Sequence, residues 1–132
     1  MSYSPAFSQA IEILISIELK QREEFIQYLS IQKIAEGLNI PVPSVKRLVA
    51  MLKKSNLIAS KPGIKGGLLL TRKPEEISFY DVLLAVEGQQ PLFQIYQAFE
   101  LKNFHNSTEA LQMLDKGREI LTEIDESVRR QL

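Results

Sequence analysis

The sequence lacks cysteine entirely and contains only one histidine, His105, among its 132 residues. Without thiols the chain can form no disulfide, no cysteine-based zinc site, no cysteine-ligated iron–sulfur cluster and no thiol nucleophile. A single imidazole cannot supply a histidine-rich metal site. No catalytic constellation of side chains is recognisable either, so we expect a protein that is not an enzyme and has no cofactor or metal.

Long apolar runs and a secretory leader are also missing. No apolar stretch approaches about 18 residues, the length that suggests a membrane-spanning helix. No basic segment followed by an apolar run opens the chain, as it would in a signal peptide. We therefore expect a cytoplasmic protein with no membrane partner. A length of 132 residues with 24% charged residues is typical of a soluble globular domain.

The formal net charge of zero hides a separation of charge along the chain. From Ser30 to Lys73 there are nine basic residues and one acid, a net charge of +8, so the remainder carries −8. Such asymmetry favours a polyanionic partner, nucleic acid above all. A solvated surface that happens to be basic is the alternative that charge alone leaves open.

The N-terminal segment has features of both a helix and a strand. Ser4 and Pro5 resemble a helix N-cap and first helical position, and apolar residues follow at helical spacing. Apolar residues between positions 13 and 19 also alternate as in a strand. The start signal and the length favour a helix. Because it is apolar on more than one face, it needs burial on two sides.

A helix-turn-helix is predicted next. Ser30 can cap a helix that runs to about Leu38, and a turn then leads to a second helix over about residues 42–55. Pro43 is tolerated in the first turn, where amides have no intrahelical acceptor. The buried stripe of the second helix leaves four polar residues on its other faces: Ser44, Lys46, Arg47 and Lys54.

A β-hairpin and a further helix follow. Residues 57–60 and 68–71 are two short predicted strands, separated by a segment rich in glycine, proline and lysine. Ser78 and Asp81 form a predicted capping box that begins the next helix, and Gly88 ends it.

The last predicted helix, opened by Asn106 and Glu109, carries a coiled-coil seam whose apolar residues are spaced alternately by four and three. Ala110 begins the seam, and the predicted dimer-interface residues follow it: Leu114, Gly117, Leu121, Ile124 and Val128. Because so small a body cannot easily cover a seam of this length, we predict dimerisation; packing against the chain's own domain is the alternative.

The order helix, helix, turn, helix, hairpin is that of a winged helix-turn-helix. We therefore predict a mostly α fold with a small β-hairpin wing. Residues 1–88 are the predicted DNA-binding domain, and residues 89–132 are a connector and a long C-terminal dimerisation helix.

Several motifs, taken together and in order, resemble the Rrf2 family of bacterial transcription regulators, which includes the IscR, NsrR and CymR types. They are SIQKIAE at 30–36, LIAS at 57–60, GIKGG at 63–67, PEEIS at 74–78 and AVEG at 85–88. Residues 7–14 and the pair Leu92-Phe93 are similar to a cysteine-poor branch typified by YwnA.

The resemblance implies a sequence-specific transcription regulator, expected to be a repressor that blocks a promoter. Its partners would be a near-palindromic double-stranded DNA operator and a second copy of the chain, with the N-terminal and C-terminal helices forming the interface. The predicted DNA-binding residues are Ser30, Pro43, Ser44, Lys46, Arg47, Lys61, Gly63, Lys65 and Gly66.

Two departures from the family pattern limit what is carried over. Pro62 stands in the wing where many relatives have arginine before the glycine, which puts minor-groove reading in doubt. The family's three cluster-binding cysteines are absent, so no iron–sulfur role is carried over.

Two other functions remain open from the sequence. A winged helix can act as a protein–protein interaction module without DNA, although such a module has no need of a segment with a net charge of +8. The chain could also respond to an unknown small-molecule effector, bound between aromatic residues that otherwise pack the dimer neck: Phe93, Tyr96, Phe99 and Phe104.

Overall fold

The computed structural model of the protein describes residues 5–23, 28–93 and 107–132. The chain divides into two compact units, Met1–Gly88 and Gln89–Leu132. The helices are α1 (Ala6–Gln21), α2 (Ile31–Leu38), α3 (Val42–Lys54), α4 (Phe79–Glu87) and α5 (Ser107–Gln131). Strands β1 (Ile58–Lys61) and β2 (Gly67–Leu70) and a 3-10 turn at Pro74–Glu76 lie between α3 and α4. The predicted order of elements is confirmed.

Helix α1 is the predicted helix and not a strand, although the predicted Ser4 cap lies outside the described residues. Ala10, Ile13 and Ile17 are completely buried in the core of the first unit. Ile15 and Leu19 remain more than half exposed on another side of the helix. The alternating pattern in this segment therefore reflects two apolar sides of one helix, one of which faces solvent in the single chain.

Helices α2 and α3 are joined by a tight turn. The Ser30 hydroxyl caps α2 by accepting a hydrogen bond from the Lys33 amide at 3.2 Å. Asn39 ends α2 in the left-handed conformation, with φ of 54°, and the Ile40 amide then donates to the Ala35 carbonyl at 3.1 Å. Four residues of α3 pack into the core: Val45, Leu48, Val49 and Leu52.

The hairpin is shifted by one residue from the strands predicted at 57–60 and 68–71. Its antiparallel register pairs Ile58 with Leu70 and Lys61 with Gly67. Leu57 belongs instead to the turn after α3, because its amide donates to the Leu52 carbonyl at 3.0 Å. Strand β1 therefore begins and ends one position later than predicted, and β2 begins and ends one position earlier, so both strands are shifted toward the tip of the hairpin.

Helix α4 begins and ends as predicted. The Ser78 hydroxyl accepts from the Asp81 amide at 3.0 Å, and the Asp81 carboxylate accepts from the Ser78 amide at 2.9 Å. Gly88 ends the helix with φ of +71°, a conformation that favours glycine.

In the second unit, the segment before α5 is tied to the last turns of that helix. One oxygen of the Asp125 carboxylate accepts from the Leu92 amide at 2.8 Å, and the other accepts from Arg129 Nε at 3.0 Å. Arg129 also donates to the Gln90 carbonyl at 2.6 Å. From Thr108 onward, no residue of α5 is buried, so its apolar face is incompletely covered by the chain as described.

Two glycine-to-alanine substitutions should have opposite effects on stability. A Cβ at Gly66 would lie 1.9 Å from the Lys61 carbonyl oxygen, whereas a Cβ at Gly37, within α2, meets nothing within 4 Å. We expect Gly66→Ala to lower the free energy of unfolding by about 1–3 kcal/mol because the backbone must shift. Gly37→Ala should raise it by about 0.5–1 kcal/mol through better helix propensity. Urea denaturation measures both, and equal stabilities would contradict the described loop.

Candidate nucleic-acid interface

The outward face of α3 is basic and contains one small apolar residue. Burial of four core residues on one side of the helix turns the opposite side to solvent. Pro43, Arg47, Ala50 and Lys54 are exposed at spacings of four, three and four, so they share one stripe. Lys46 and Lys53 are exposed along one edge of that stripe. This face therefore carries two cations within the stripe, Arg47 and Lys54, and two more along one edge of it.

The predicted contact residues of α3 do not all lie on this stripe. Ser44 is half-buried at the edge of the helix. Lys46 and Arg47 are exposed, and neither forms an ion pair with any described residue. Their charges are therefore available to phosphates or to guanine edges. Ser44, in contrast, could contact DNA only at the edge of the outward face of α3.

Sequence reasoning missed Ala50 and Lys53 as members of this face. In the sequence, Ala50 resembles another core position because it stands between apolar residues. The spacing from Pro43 and Arg47 is the signal that could have identified it. An exposed methyl group on the centre of such a helix lets the backbone come close to DNA, and it can contact a thymine methyl group.

Ser30 lies at the start of α2, and its hydroxyl oxygen already accepts the capping hydrogen bond from the Lys33 amide. The hydroxyl proton can still be donated, and the residue is exposed. A phosphate contact by Ser30 is therefore compatible with its structural role in capping.

The wing combines two lysines with glycines that shape the loop. Lys65 is exposed at the tip, and Lys61 lies with its ammonium 5.3 Å from the centre of the Tyr28 ring. Gly63 has φ of +102°. Gly66 is half-buried against the Lys61 carbonyl, so its observed contribution is to the loop's conformation.

All nine basic residues between Ser30 and Lys73 are exposed. Arg72 lies 4.0 Å from the Asp81 carboxylate at the edge of this region. The charged side chains of this segment therefore lie on the protein surface, and its net charge of +8 creates a positive potential around α3 and the wing.

This arrangement, a helix-turn-helix followed by a two-stranded hairpin with cations on α3 and at the wing, defines a winged helix-turn-helix protein. The profile of the Rrf2 family, described as "Iron-dependent Transcriptional regulator", matches residues 3–132. The chain belongs to the Rrf2 family, as its motifs predicted.

Similar proteins support this assignment. YwgB of Bacillus subtilis, an HTH-type transcriptional regulator by name, is 32% identical over 94 residues, which are 71% of this chain and 58% of YwgB. YwnA of the same organism, named in the same way, is 31% identical over 67% of this chain and 61% of YwnA. The chain thus spans about three-fifths of the length of these relatives.

The crystal structure of oxidized CymR from Staphylococcus aureus is similar with 27% identity and a TM-score of 0.58, covering 91% of this chain and 88% of CymR. YwgB and YwnA are named as transcriptional regulators and not as enzymes.

The iron implied by the family description does not fit the residues of this chain. The sequence has no cysteine, so thiolate ligation of iron or of an iron–sulfur cluster is chemically excluded. In the described parts of the chain, no three acidic or histidine side chains are grouped so that they could hold a metal ion.

Several predictions fall on residues 94–106, outside the described ranges. They concern three of the four neck aromatics, Tyr96, Phe99 and Phe104, together with His105 and the Asn106 cap of α5. Phe93, the fourth aromatic, is described and half-buried. None of the helices in the described ranges is long and apolar enough to cross a membrane.

Proposed function

We propose that the protein is a sequence-specific regulator that binds double-stranded DNA by inserting α3 into the major groove. The exposed basic face of α3 supports this proposal, because a helix in the major groove must present cations and hydrogen-bond donors to phosphates and base edges. A protein–protein module, the alternative, gains nothing from two lysines on the wing beside a second basic surface on α3.

Arg47 lies in the middle of the outward stripe of α3 and is the strongest candidate for a base contact. A guanidinium can donate two parallel hydrogen bonds to O6 and N7 of guanine. Lys46, on the edge of the stripe, is better placed for a phosphate than for a base. Ala50 would allow the close approach that the Arg47 contact requires.

We also propose a homodimer that binds a near-palindromic operator through two winged heads. Three apolar residues of α5 are exposed to water: Met113 (71%), Ile120 (49%) and Ile124 (42%). Exposure of apolar side chains is unfavourable, and packing against a second copy of the helix would bury them. The predicted interface residues Leu114 and Leu121 are half-buried beside them. A symmetric dimer requires a DNA site with matching two-fold symmetry.

Regulation would be repression in the cytoplasm, where the bacterial chromosome lies, by occupation of a promoter. A bound dimer need only exclude polymerase to have this effect. Selection of bound sequences from random DNA, followed by a promoter–reporter assay with the selected operator, tests the proposal. An enriched palindrome whose presence lowers expression is the expected result; no enrichment would overturn DNA binding, and increased expression would overturn repression.

Replacing Arg47 with alanine should weaken binding to the selected operator by about 1–3 kcal/mol if the side chain contacts a base. Binding to scrambled DNA should change less, because a base contact contributes only where the base is present. Lys46→Ala should instead weaken both DNAs alike. Fluorescence anisotropy titrations compare them, with Lys116→Ala on α5 as a control that removes the same charge; unchanged affinity for Arg47→Ala would exclude this residue from the interface.

A further inference from the structure

The tip of the wing presents an isoleucine to solvent. The Gly66 amide donates to the Gly63 carbonyl at 3.0 Å, which closes a turn whose two central residues are Ile64 and Lys65. Ile64 has a relative exposure of 106%, the highest among the exposed large hydrophobic residues. A turn centre is usually polar, so this side chain is unexplained by the folding of the described chain.

The base of the wing is firmly fixed. Lys61 pairs with Gly67, and the Leu68 amide donates to the Leu29 carbonyl at 2.9 Å, which adds a third segment to the hairpin. At Gly67 a Cβ would lie 2.8 Å from the Tyr28 Cβ, so the chain there is in close contact with Tyr28. Because these contacts form within the chain itself, placing the tip on a ligand requires little additional ordering of the base.

The surroundings of Ile64 indicate what it contacts. Lys65 follows it directly, and Lys61 lies at the base of the same loop, so the tip combines an apolar side chain with two cations. The minor groove of a DNA duplex is complementary to this tip. Phosphates along its two edges can bind the lysines, and the sugars and base edges inside it can contact the apolar side chain. The Pro62 position provides no guanidinium for this groove.

We propose that Ile64 enters the minor groove beside each half-site and selects A·T base pairs there, an inference that rests on the proposed DNA-binding function. The discrimination comes from guanine, whose N2 amino group projects into the minor groove. An isoleucine side chain would desolvate that donor without accepting a hydrogen bond from it. A TA step is favoured further because it unstacks easily around an apolar wedge. Lys61 and Lys65 bind the phosphates on the groove edges without selecting a sequence.

The test uses the full-length protein and its selected operator, in which each base pair is replaced in turn. At the position contacted by Ile64, changing A·T to G·C should weaken binding of the wild type by about 5- to 150-fold, the usual cost of one mismatch. An inosine·cytosine pair lacks the N2 amino group but keeps the major-groove pattern of G·C. We expect it to bind like A·T at that position.

Two variants complete the experiment. Ile64→Ala should fold normally, since Ile64 is fully exposed, and should bind the A·T, inosine·cytosine and G·C operators with similar affinity at that position. Lys65→Ala, the control at the neighbouring tip residue, should weaken all three alike and keep the preference. A thermal melt of each variant verifies folding.

The outcomes separate this inference from the proposed function. Failure of the wild type to bind any DNA in a salt-dependent manner would overturn both. If the wild type binds its operator but Ile64→Ala retains the same base preferences at every position, only the role of Ile64 is overturned. The same holds if inosine·cytosine behaves like G·C, since the contact would then lie in the major groove.

Discussion

Raising the salt concentration from about 50 to about 200 mM should weaken binding of the protein to its operator by roughly 10³–10⁵-fold, if a dimer neutralises about six to ten phosphates. The reason is the release of cations condensed on the DNA, which becomes less favourable as bulk salt rises. Each protomer exposes nine basic residues between Ser30 and Lys73, enough for this number of contacts in a dimer.

The measurement is a series of anisotropy titrations across this salt range, plotted as the logarithm of affinity against the logarithm of salt concentration. Removing one phosphate contact should reduce the slope by about one. Lys53→Ala, at the edge of the outward face of α3, tests such a contact, and Lys116→Ala on α5 is the matched control. A flat salt response of the wild type would contradict an electrostatic interface.

The features predicted correctly from the sequence depend on residues close together in the chain. Ser30 caps α2 through an amide three residues away, and Ser78 and Asp81 cap α4 across the same spacing. Since these contacts are local, the residue types and their spacing suffice to predict them. The helix-turn-helix and the limits of α3 follow from such signals together with the apolar period.

The features that escaped prediction depend on contacts that neither a capping motif nor the apolar period indicates. The limits of the two strands required knowing that the Leu57 amide donates to the Leu52 carbonyl and that the loop closes over Gly66. The Asp125 carboxylate binds the Leu92 amide across 33 positions, with no period to link them. Only tertiary contacts determine such pairings, so local propensity does not reveal them.

The apolar face of α5 illustrates an intermediate case. The heptad spacing predicted a seam that includes Ile124, and this residue is indeed exposed. It did not include Met113 and Ile120, which lie beside the seam and are exposed more than Ile124. A strict heptad selects a narrow line of residues, whereas a helix buried against a partner needs a wider apolar stripe. The surface available for dimerisation is therefore broader than the predicted seam.

Replacing Ile124 with glutamate should convert the proposed dimer to a monomer and weaken operator binding by about 10²–10⁴-fold, the contribution of a second linked binding site. Ile124 is 42% exposed in the single chain, so the charge is tolerated there. Burial against a second copy of α5 would strip the carboxylate of water without providing a partner. The substitution thus acts on association and leaves the fold of each protomer intact.

Sedimentation velocity and operator titration on the same samples test this expectation. Thr122→Glu introduces the same charge on the nearly opposite, exposed side of α5 and should leave both the dimer and its affinity unchanged. A dimer of unaltered stability in Ile124→Glu would place the interface elsewhere. Among the described residues, a second exposed apolar surface is the groove of about 310 Å³ beside α1, which Ile15, Leu19 and Phe79 line. Ile15→Glu, at a position 53% exposed, would in that case be the variant that separates the protomers.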